Sequence, residues 1–329
     1  MGPFEPSTRG ALLTGVSALA LMGSIQQAYA VDPVPTWQVW IEGASFQTNG
    51  GGLFGPAAWP GFMGTVFNPG MSPNTGGEIA AGFDYHLAYS PYHFVFDIRG
   101  GWSRAATQNP SSSSTFHTSS FFGIFSTLID TNNSGIIKEH ESHVVADFMA
   151  GRDFGLGRGL AQFQVGIRVA DLNAVSQAQL NTATTTKNSF YSSTTVTQSG
   201  QTAVGTFKSR FFGAGPRAAF TDSVPLGGQW SAEFAAGMAG LIGSRTLDVA
   251  ITTSPGGLYS AGYGGNAVIF NADAWAGLSY RFTPNFKIIA GLRTDYYNNA
   301  LLTFNPVTGG LQTVDRNFWG PFVRLSGQF

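Results

Sequence analysis

The feature that most constrains the fold of this chain is an alternation of apolar and polar residues with a period of two. In the clearest segment, residues 270–282, one row carries Phe, Ala, Leu and Tyr, and the other carries Asn271, Asp273, Ser279 and Arg281. A helix would scatter these polar residues around its cylinder, whereas a strand places them all on one face. The pattern therefore predicts an all-β fold.

Ten such segments follow one another along the chain. They lie at about 36–46, 76–89, 93–107, 141–155, 160–178, 206–222, 229–249, 267–282, 286–302 and 317–329. Short and long connections between these segments alternate along the chain. The short ones are 90–92, 156–159, 223–228 and 283–285, and the long polar ones are 47–74, 108–139, 179–205, 250–266 and 305–316.

Connections that differ in length between the two ends are typical of outer-membrane barrels, which have short periplasmic turns and long extracellular loops. A soluble β-sandwich has no reason to sort its loops in this way. We therefore predict a transmembrane antiparallel up-and-down β-barrel of about ten strands. A count of twelve would require a hairpin hidden in one of the long connections.

The composition agrees with a lipid-facing surface. Hydrophobic residues make up 43% of the chain and charged residues only 11%, against about 25% charged in ordinary soluble domains. The net charge of −1 argues against nucleic-acid binding, which requires a basic surface. Cysteine is absent, so disulfides and thiolate chemistry are excluded. No feature of the sequence calls for a cofactor.

The first thirty residues are predicted to be a secretory signal peptide, and residues 31–329 the barrel. Arg9 precedes a short apolar run, and Ala28 to Ala30 supply a small-x-small cleavage site before Val31. The run is too short to span ~30 Å of hydrocarbon. Export by the Sec pathway to the outer membrane follows, with the lipid bilayer and lipopolysaccharide as surroundings.

The last strand carries its own signal. It alternates from Asn317 and ends the chain on Phe329. A terminal aromatic residue resembles the signal read by the outer-membrane barrel assembly machinery, which is therefore a predicted partner. Pro321 lacks an N–H group, so we expect a bulge or locally weak pairing there.

Placing every apolar row outward turns a set of charges into the lumen. An Arg facing mid-bilayer lipid costs ~2–4 kcal/mol, which fixes the phase of each strand. The predicted lumen-facing charges are Glu42, Glu78, Asp84, Asp97, Arg99, Asp147, Arg168, Arg217, Glu233, Arg245, Asp273, Arg281, Arg293, Asp295 and Arg324.

These charges support two functions. One is a narrow porin-like channel for small solutes or ions, in which fixed charges set selectivity. The other is a largely closed structural or adhesin-type barrel whose interior is filled by ion pairs and whose extracellular loops carry the function. Barrels of eight strands are just filled by side chains, so ten strands lie near the closed limit. The oligomeric state is left open.

One segment has the residue spacing of a calcium-binding loop. Residues 130–141 match the spacing of an EF-hand loop, with Asp130, Asn132, Ser134 and Glu141 as candidate calcium ligands. The site has only two acidic ligands, and Glu141 also begins a predicted strand. We therefore predict no metal site here.

The histidines of the chain are its candidate catalytic residues. Of the five histidines, only His117, His140 and His143 are expected on the extracellular side, and no evident Asp–His dyad accompanies them. His140 and His143 are three apart, so on a strand they point to opposite faces. No Ser-His-carboxylate order stands out. The sequence predicts a protein that is not an enzyme.

The C-terminal half, roughly 140–329, resembles the Legionella major outer-membrane protein family of pore-forming barrels. The resemblance is carried by five motifs, at 147–151, 166–170, 212–217, 291–297 and 319–325. It implies a barrel that conducts small solutes and carries no catalytic or metal residue. Because the chain has no cysteine, disulfide cross-links found among major porins cannot apply.

Overall fold

The computed structural model describes residues 36–50, 74–105, 109, 111–119, 125–156, 159–190, 193–254, 256–305 and 310–329. The predicted signal peptide and its cleavage site at Ala30 and Val31 lie outside this part of the chain. Within the described ranges, no helix has the length and apolar character needed to cross a membrane.

The described chain forms eleven strands, all paired antiparallel. They are β1 (Thr36–Asn49), β2 (Asn74–His86), β3 (Tyr92–Arg104), β4 (Ser111–Ser119), β5 (Phe125–Leu156), β6 (Gly159–Phe190), β7 (Ser193–Gly227), β8 (Trp230–Ser254), β9 (Gly257–Arg281), β10 (Phe286–Asn305) and β11 (Gly310–Gln328).

Ten of these strands close into a ring. Each pairs with the next, β3 pairs directly with β5, and β1 pairs with both β2 and β11. β4 stands outside the ring, paired with the outer part of β5. The predicted antiparallel barrel of about ten strands is confirmed.

The closing strand pairs with β1 as expected. Trp37 and Phe329 exchange backbone hydrogen bonds of 2.9 and 2.8 Å, and Glu42 lies opposite Arg324. The β1–β11 ladder is interrupted opposite Ser45 and Phe46, where Gly320 and Pro321 lie, and it resumes in the same register. The pairing is therefore locally weak at Pro321, as its missing N–H group requires.

The long extracellular loops were predicted wrongly at four places. Most of 108–139, 179–205, 250–266 and 305–316 is strand, because β5 to β11 continue past the membrane. β5 and β6 have 32 residues each, which at ~3.3 Å per residue span about 105 Å, against an apolar band of ~25 Å. Thr and Val favour strands, so the Ser/Thr/Asn-rich composition was misleading.

Along β5 to β9, the outward face changes from apolar to mostly polar, and the inward face changes from charged to apolar. Near the periplasm the outward row is continuously apolar and exposed, and beyond one level it is mostly polar. The continuous apolar row ends at Val144, Val169, Phe212, Ile242 and Val268, and the next outward residues toward the extracellular end are Ser142, Asp171, Arg210, Ser244 and Asn266. Isolated apolar residues, such as Ile136, Val204 and Leu258, are exposed beyond it. We call the part on the periplasmic side of this level the membrane barrel, and the part beyond it the extension.

The interior of the extension is apolar. Its buried residues include Leu172, Ala174, Phe207, Leu247 and Val249. The β10–β11 hairpin adds to them because it leaves the barrel wall: the β9–β10 ladder ends at Tyr297, and the β10–β11 register shifts between Tyr297 and Leu301. Asn299 takes a left-handed conformation at this bulge (φ 52°).

Two hydrogen bonds hold the displaced β10–β11 hairpin against β7 and β8. The N–H of Leu302 donates to Ser209 Oγ on β7 at 2.8 Å, and Arg245 on β8 donates to the carbonyl of Asn299 at 2.5 Å. Ala300 and Leu301 are fully buried in the same apolar cluster. We call this cluster, formed by the hairpin and the inner faces of β6 to β9, the apolar plug.

Candidate functional site

The interior of the membrane barrel is occupied by charged side chains, and Arg168 lies at their centre. Arg168 is 0% exposed. Its guanidinium donates to both carboxylate oxygens of Asp147 at 2.7 and 2.6 Å, to Asp273 at 2.9 Å and to the Asn271 carbonyl oxygen at 2.5 Å. A buried guanidinium is stable only when its N–H groups are paired in this way.

Further ion pairs bridge strands that are not neighbours. Arg99 on β3 donates to Asp295 on β10, and Arg217 on β7 donates to Asp273 on β9. Asn271 links the two groups by donating to Asp295 at 2.6 Å. β3 and β10 are at least three strands apart in either direction around the ring, so the Arg99–Asp295 pair crosses the lumen, whereas the Arg217–Asp273 pair spans only β8. We call Arg99, Asp147, Arg168, Arg217, Asn271, Asp273 and Asp295 the lumen network.

A second group of charges lies beside this network. Arg293 donates to Glu42 and to Glu78, and Arg324 donates to Glu42 at 2.9 Å. The His143 ring lies 2.6 Å from Glu78. These contacts join β1, β2, β5, β10 and β11, so the network and its neighbours touch most of the wall.

Above the charges, the interior becomes progressively apolar. Arg316, which is 0% exposed, pairs with Glu141 at 2.9 Å. Phe46 and Phe318 stack beside His143, and the apolar plug follows. The described interior is therefore filled in two layers, the first charged and the second apolar.

The structure distributes the sequence-predicted charges over three places. Most of them join the lumen network or the group beside it. Asp84, Asp97, Glu233 and Arg281 line a cavity nearer the periplasm, where Glu233 pairs with Lys287 at 2.7 Å. Arg245 has the interior parity of β8 but lies in the extension, where it donates to the carbonyl of Asn299.

Several interior residues were missed by the sequence reasoning. Glu141 and His143 share the strand parity of Asp147, and Arg316 shares that of Arg324. Their parity is a usable signal for Glu141 and His143, which lie in the predicted strand 141–155, whereas Arg316 lies at the end of the predicted connection 305–316. Asn271 was missed because only charged residues were counted.

The EF-hand candidate is incompatible with the structure. Asp130, Asn132, Ser134 and Glu141 lie on one continuous strand, β5. Eleven residues of strand span about 36 Å, so Asp130 and Glu141 cannot bind one ion. Glu141 faces the interior and pairs with Arg316 instead.

A cavity of about 510 Å³ occupies the periplasmic half of the interior. The turn residues Ser90 and Pro91 line its mouth, and Arg99, Arg217 and Arg293 of the charged groups line its inner end. The cavity therefore reaches from the periplasmic turns to the lumen network.

Among the comparisons with known proteins, only the one with solved structures finds similarity. No family model and no curated protein matches the chain. Among solved structures, the chain is similar to the outer membrane protease OmpT from Escherichia coli, with 10% identity over 92% of this chain and 99% of that one (TM-score 0.37). Neisserial surface protein A has 11% identity over 88% and 95% (TM-score 0.24). The Pseudomonas putida toluene transporter TodX has 8% identity over 91% and 90% (TM-score 0.22).

These proteins correct one prediction. The sequence reasoning excluded enzymes, yet the similar structures include an outer membrane protease as well as channels. The exclusion is therefore withdrawn. At this level of identity the likeness concerns the fold alone and assigns no activity to the chain.

Proposed function

We propose that this protein is a closed outer-membrane barrel whose extension displays a polar binding surface outside the cell. The observation that carries the proposal is the complete burial of Arg168 between carboxylates of β5 and β9. Such a guanidinium links β5 and β6 to β9 through the interior. The apolar plug closes the interior a second time, at the extracellular side.

The extension offers a large surface for binding. Its strands β6 and β7 continue to Phe190 and Ser193, and residues 193–201 of β7 are all exposed. This stretch is rich in Ser, Thr and Gln, which donate and accept hydrogen bonds without bringing charge. An adhesin-type role, in which polar side chains contact another surface, fits this composition.

β4 gives the extension an edge. Within the described ranges β4 pairs with β5 alone, so its other side presents unpaired backbone groups. A free strand edge can accept an added strand from a partner. Ser111–Ser119 is therefore the segment of the extension at which we place protein contacts.

A narrow channel is the second candidate, and the periplasmic cavity favours it. The cavity already leads to the lumen network, so a rearrangement of Arg99 and Arg293 would extend it. The resemblance to the Legionella major outer-membrane protein family points the same way. Small ions or solutes would be the cargo, and the surroundings in either case would be lipid and lipopolysaccharide, after Sec export and insertion by the barrel assembly machinery.

Planar-bilayer conductance separates the two functions. The refolded barrel is added to bilayers in several salts, with a general porin as positive control. The closed barrel predicts a flat baseline under conditions in which the porin conducts. Reproducible channel steps from correctly folded protein would contradict the proposal and establish the channel.

A truncation tests the binding surface. Asn181 and Thr202 lie opposite each other on β6 and β7, so replacing 182–201 by Asn-Gly shortens both strands and keeps their register. We expect cells displaying this variant to lose attachment to host or abiotic surfaces, while the barrel still folds. The matched control replaces only 188–195 and retains most of the surface. Undiminished attachment by the longer truncation would show that this part of the extension is not the binding element.

A further inference from the structure

Two histidines and two aspartates meet at the periplasmic end of the interior, outside the lumen network. His86 and His93 are directly opposite each other on β2 and β3, and Asp84 shares a face with His86 because it lies two residues away. Asp153 on β5 joins them from the next strand, where its N–H donates to the carbonyl of Pro91 at 2.8 Å. Three adjacent strands therefore supply the four side chains.

The four side chains are in direct contact. His93 Nδ1 lies 2.9 and 3.0 Å from the two oxygens of Asp84. The His86 ring bridges the two carboxylates, with Nε2 at 3.1 Å from Asp84 and Nδ1 at 3.0 Å from Asp153. The ligand atoms of Asp84, His86 and His93 all lie within 4.8 Å of one another.

The hydrogen bonds within this group leave one buried oxygen and one buried nitrogen unpaired. Asp153 Oδ1 and His93 Nε2 are buried and have no hydrogen-bond partner, whereas Asp84 Oδ1 lies 2.9 Å from His93 Nδ1. Asp84 is 6% and His93 0% exposed. An unpaired buried carboxylate oxygen costs free energy, so Asp153 keeps one buried oxygen that a cation could bind.

We propose that Asp84, His86, His93 and Asp153 bind one divalent transition-metal ion of the Zn²⁺ type. Two neutral imidazoles and two carboxylates are ligands that Zn²⁺ accepts in tetrahedral geometry. In such a site the ligand atoms are about 3.3 Å apart, since the bonds are ~2.0–2.1 Å long. The contacting His–Asp atoms are 2.9–3.1 Å apart, and His93 Nδ1 lies 4.0 Å from Asp153 Oδ1. Binding of one ion therefore requires the His86 ring to turn, so that a single ring nitrogen faces both carboxylates.

The charge and the donor types select the ion. A divalent cation neutralises the two carboxylates fully, whereas one imidazolium neutralises only half of their charge. Imidazole nitrogens suit Zn²⁺ and its neighbours, whereas Ca²⁺ and Mg²⁺ prefer oxygen ligands alone. The ion enters from the periplasm, because Asp84, His86 and Asp153 line the same cavity as Ser90 and Pro91 of the mouth. It would tie β2, β3 and β5 together.

Metal titration of the refolded, EDTA-treated barrel tests the site. We expect one equivalent of Zn²⁺ to bind in calorimetry, reversed by EDTA. Co²⁺ should give the strong visible absorption of a four-coordinate ion. The chain has no cysteine, so no thiolate competes for the metal. A folded barrel that binds neither ion would overturn the proposal.

Two conservative variants and one control assign the ligands. His86→Gln and Asp153→Asn each remove one ligand and keep the size of the side chain. Each should weaken Zn²⁺ binding more than ~10-fold, since even outer-shell changes cost 10–100-fold. His140→Gln, on the outward face of β5, should bind as the wild type does. Folding of each variant is checked by its heat-dependent mobility in detergent gels. Folded His86→Gln and Asp153→Asn that bind Zn²⁺ unchanged would contradict the assignment.

Discussion

The membrane barrel and the extension are built from the same strands, but their faces carry opposite residue types. On β7 the membrane barrel has Arg217 inside and Phe212 outside, whereas the extension has Phe211 inside and Arg210 outside. The strand parity is unchanged between them, since odd residues face the interior throughout. The surroundings have changed, from lipid to water.

This difference explains why the interior has two layers. Lipid outside requires an apolar outer row, which leaves the charged residues to the inside, where they must pair. Water outside removes that requirement, and burial of apolar surface then stabilises the extension as in a soluble protein. In both parts the outward residues match the surrounding solvent. The inward residues are therefore charged where lipid is outside and apolar where water is outside.

Arg168→Met should have the largest effect on the membrane barrel. It leaves Asp147 and Asp273 with Arg217 as their remaining ion-pair partner, and breaking a buried pair from one side costs ~3–5 kcal/mol. Urea unfolding in detergent or lipid measures the loss in the free energy of unfolding. A loss below 1 kcal/mol would show that the interior is solvated and the network is not a seal.

Leu247→Ala should destabilise the extension in particular. Leu247 is 0% exposed in the apolar plug, and a buried Leu→Ala change costs ~2–5 kcal/mol. Hydrogen exchange should report faster opening of β7 and β8 beyond Phe212, with the membrane barrel unchanged. The control is Asp248→Ala at the next, outward position, for which we expect a change within ~0.5 kcal/mol. Equal effects of the two substitutions would rule out an apolar core in the extension.

Met238→Arg tests where the lipid band lies. Met238 is exposed in the middle of the apolar outward row of β8, and Arg at mid-bilayer costs ~2–4 kcal/mol. Thr246→Arg, beyond Ile242 on the same row, should cost only ~0–1 kcal/mol because it lies outside the apolar band. Unfolding from lipid vesicles compares the two. A similar cost for both would move the boundary outward into the extension.

Arg210→Met should have the smallest effect. Arg210 pairs with Asp171 at 2.5 Å on the outside of the extension, where the two side chains are 56% and 31% exposed. The hydrogen bond to Asp171 raises the pKa of Arg210, but exposed pairs contribute ~0–1 kcal/mol. The same urea assay as for Arg168→Met gives the comparison. A loss as large as that of Arg168→Met would contradict the placement of this pair in water.

The strands of the membrane barrel could be predicted because lipid enforces strict alternation. Asp273 and Arg324 follow from that alternation alone. The extension could not be predicted in the same way, because Thr182 to Thr186 alternate only weakly in polarity and resemble a loop in composition. The bulge at Asn299 and the His86–Asp153 contact depend on distant strands, for which a single sequence carries no signal. The sequence predicts that Asp84 and His86 share a face of β2, because they are two residues apart. It does not predict that Asp153 on β5 contacts them.

Labelling of single cysteines tests most directly the claim that the interior is closed, and the natural chain is free of cysteine. Gln162→Cys lines the periplasmic cavity, Ala174→Cys lies in the apolar plug, and Asp248→Cys faces outward. In lipid nanodiscs, a charged thiol reagent should modify positions 162 and 248 at similar rates. Position 174 should react at least ~100-fold more slowly, because its labelling requires local unfolding. Similar rates at all three positions would mean that water passes through the barrel, and would contradict a closed interior.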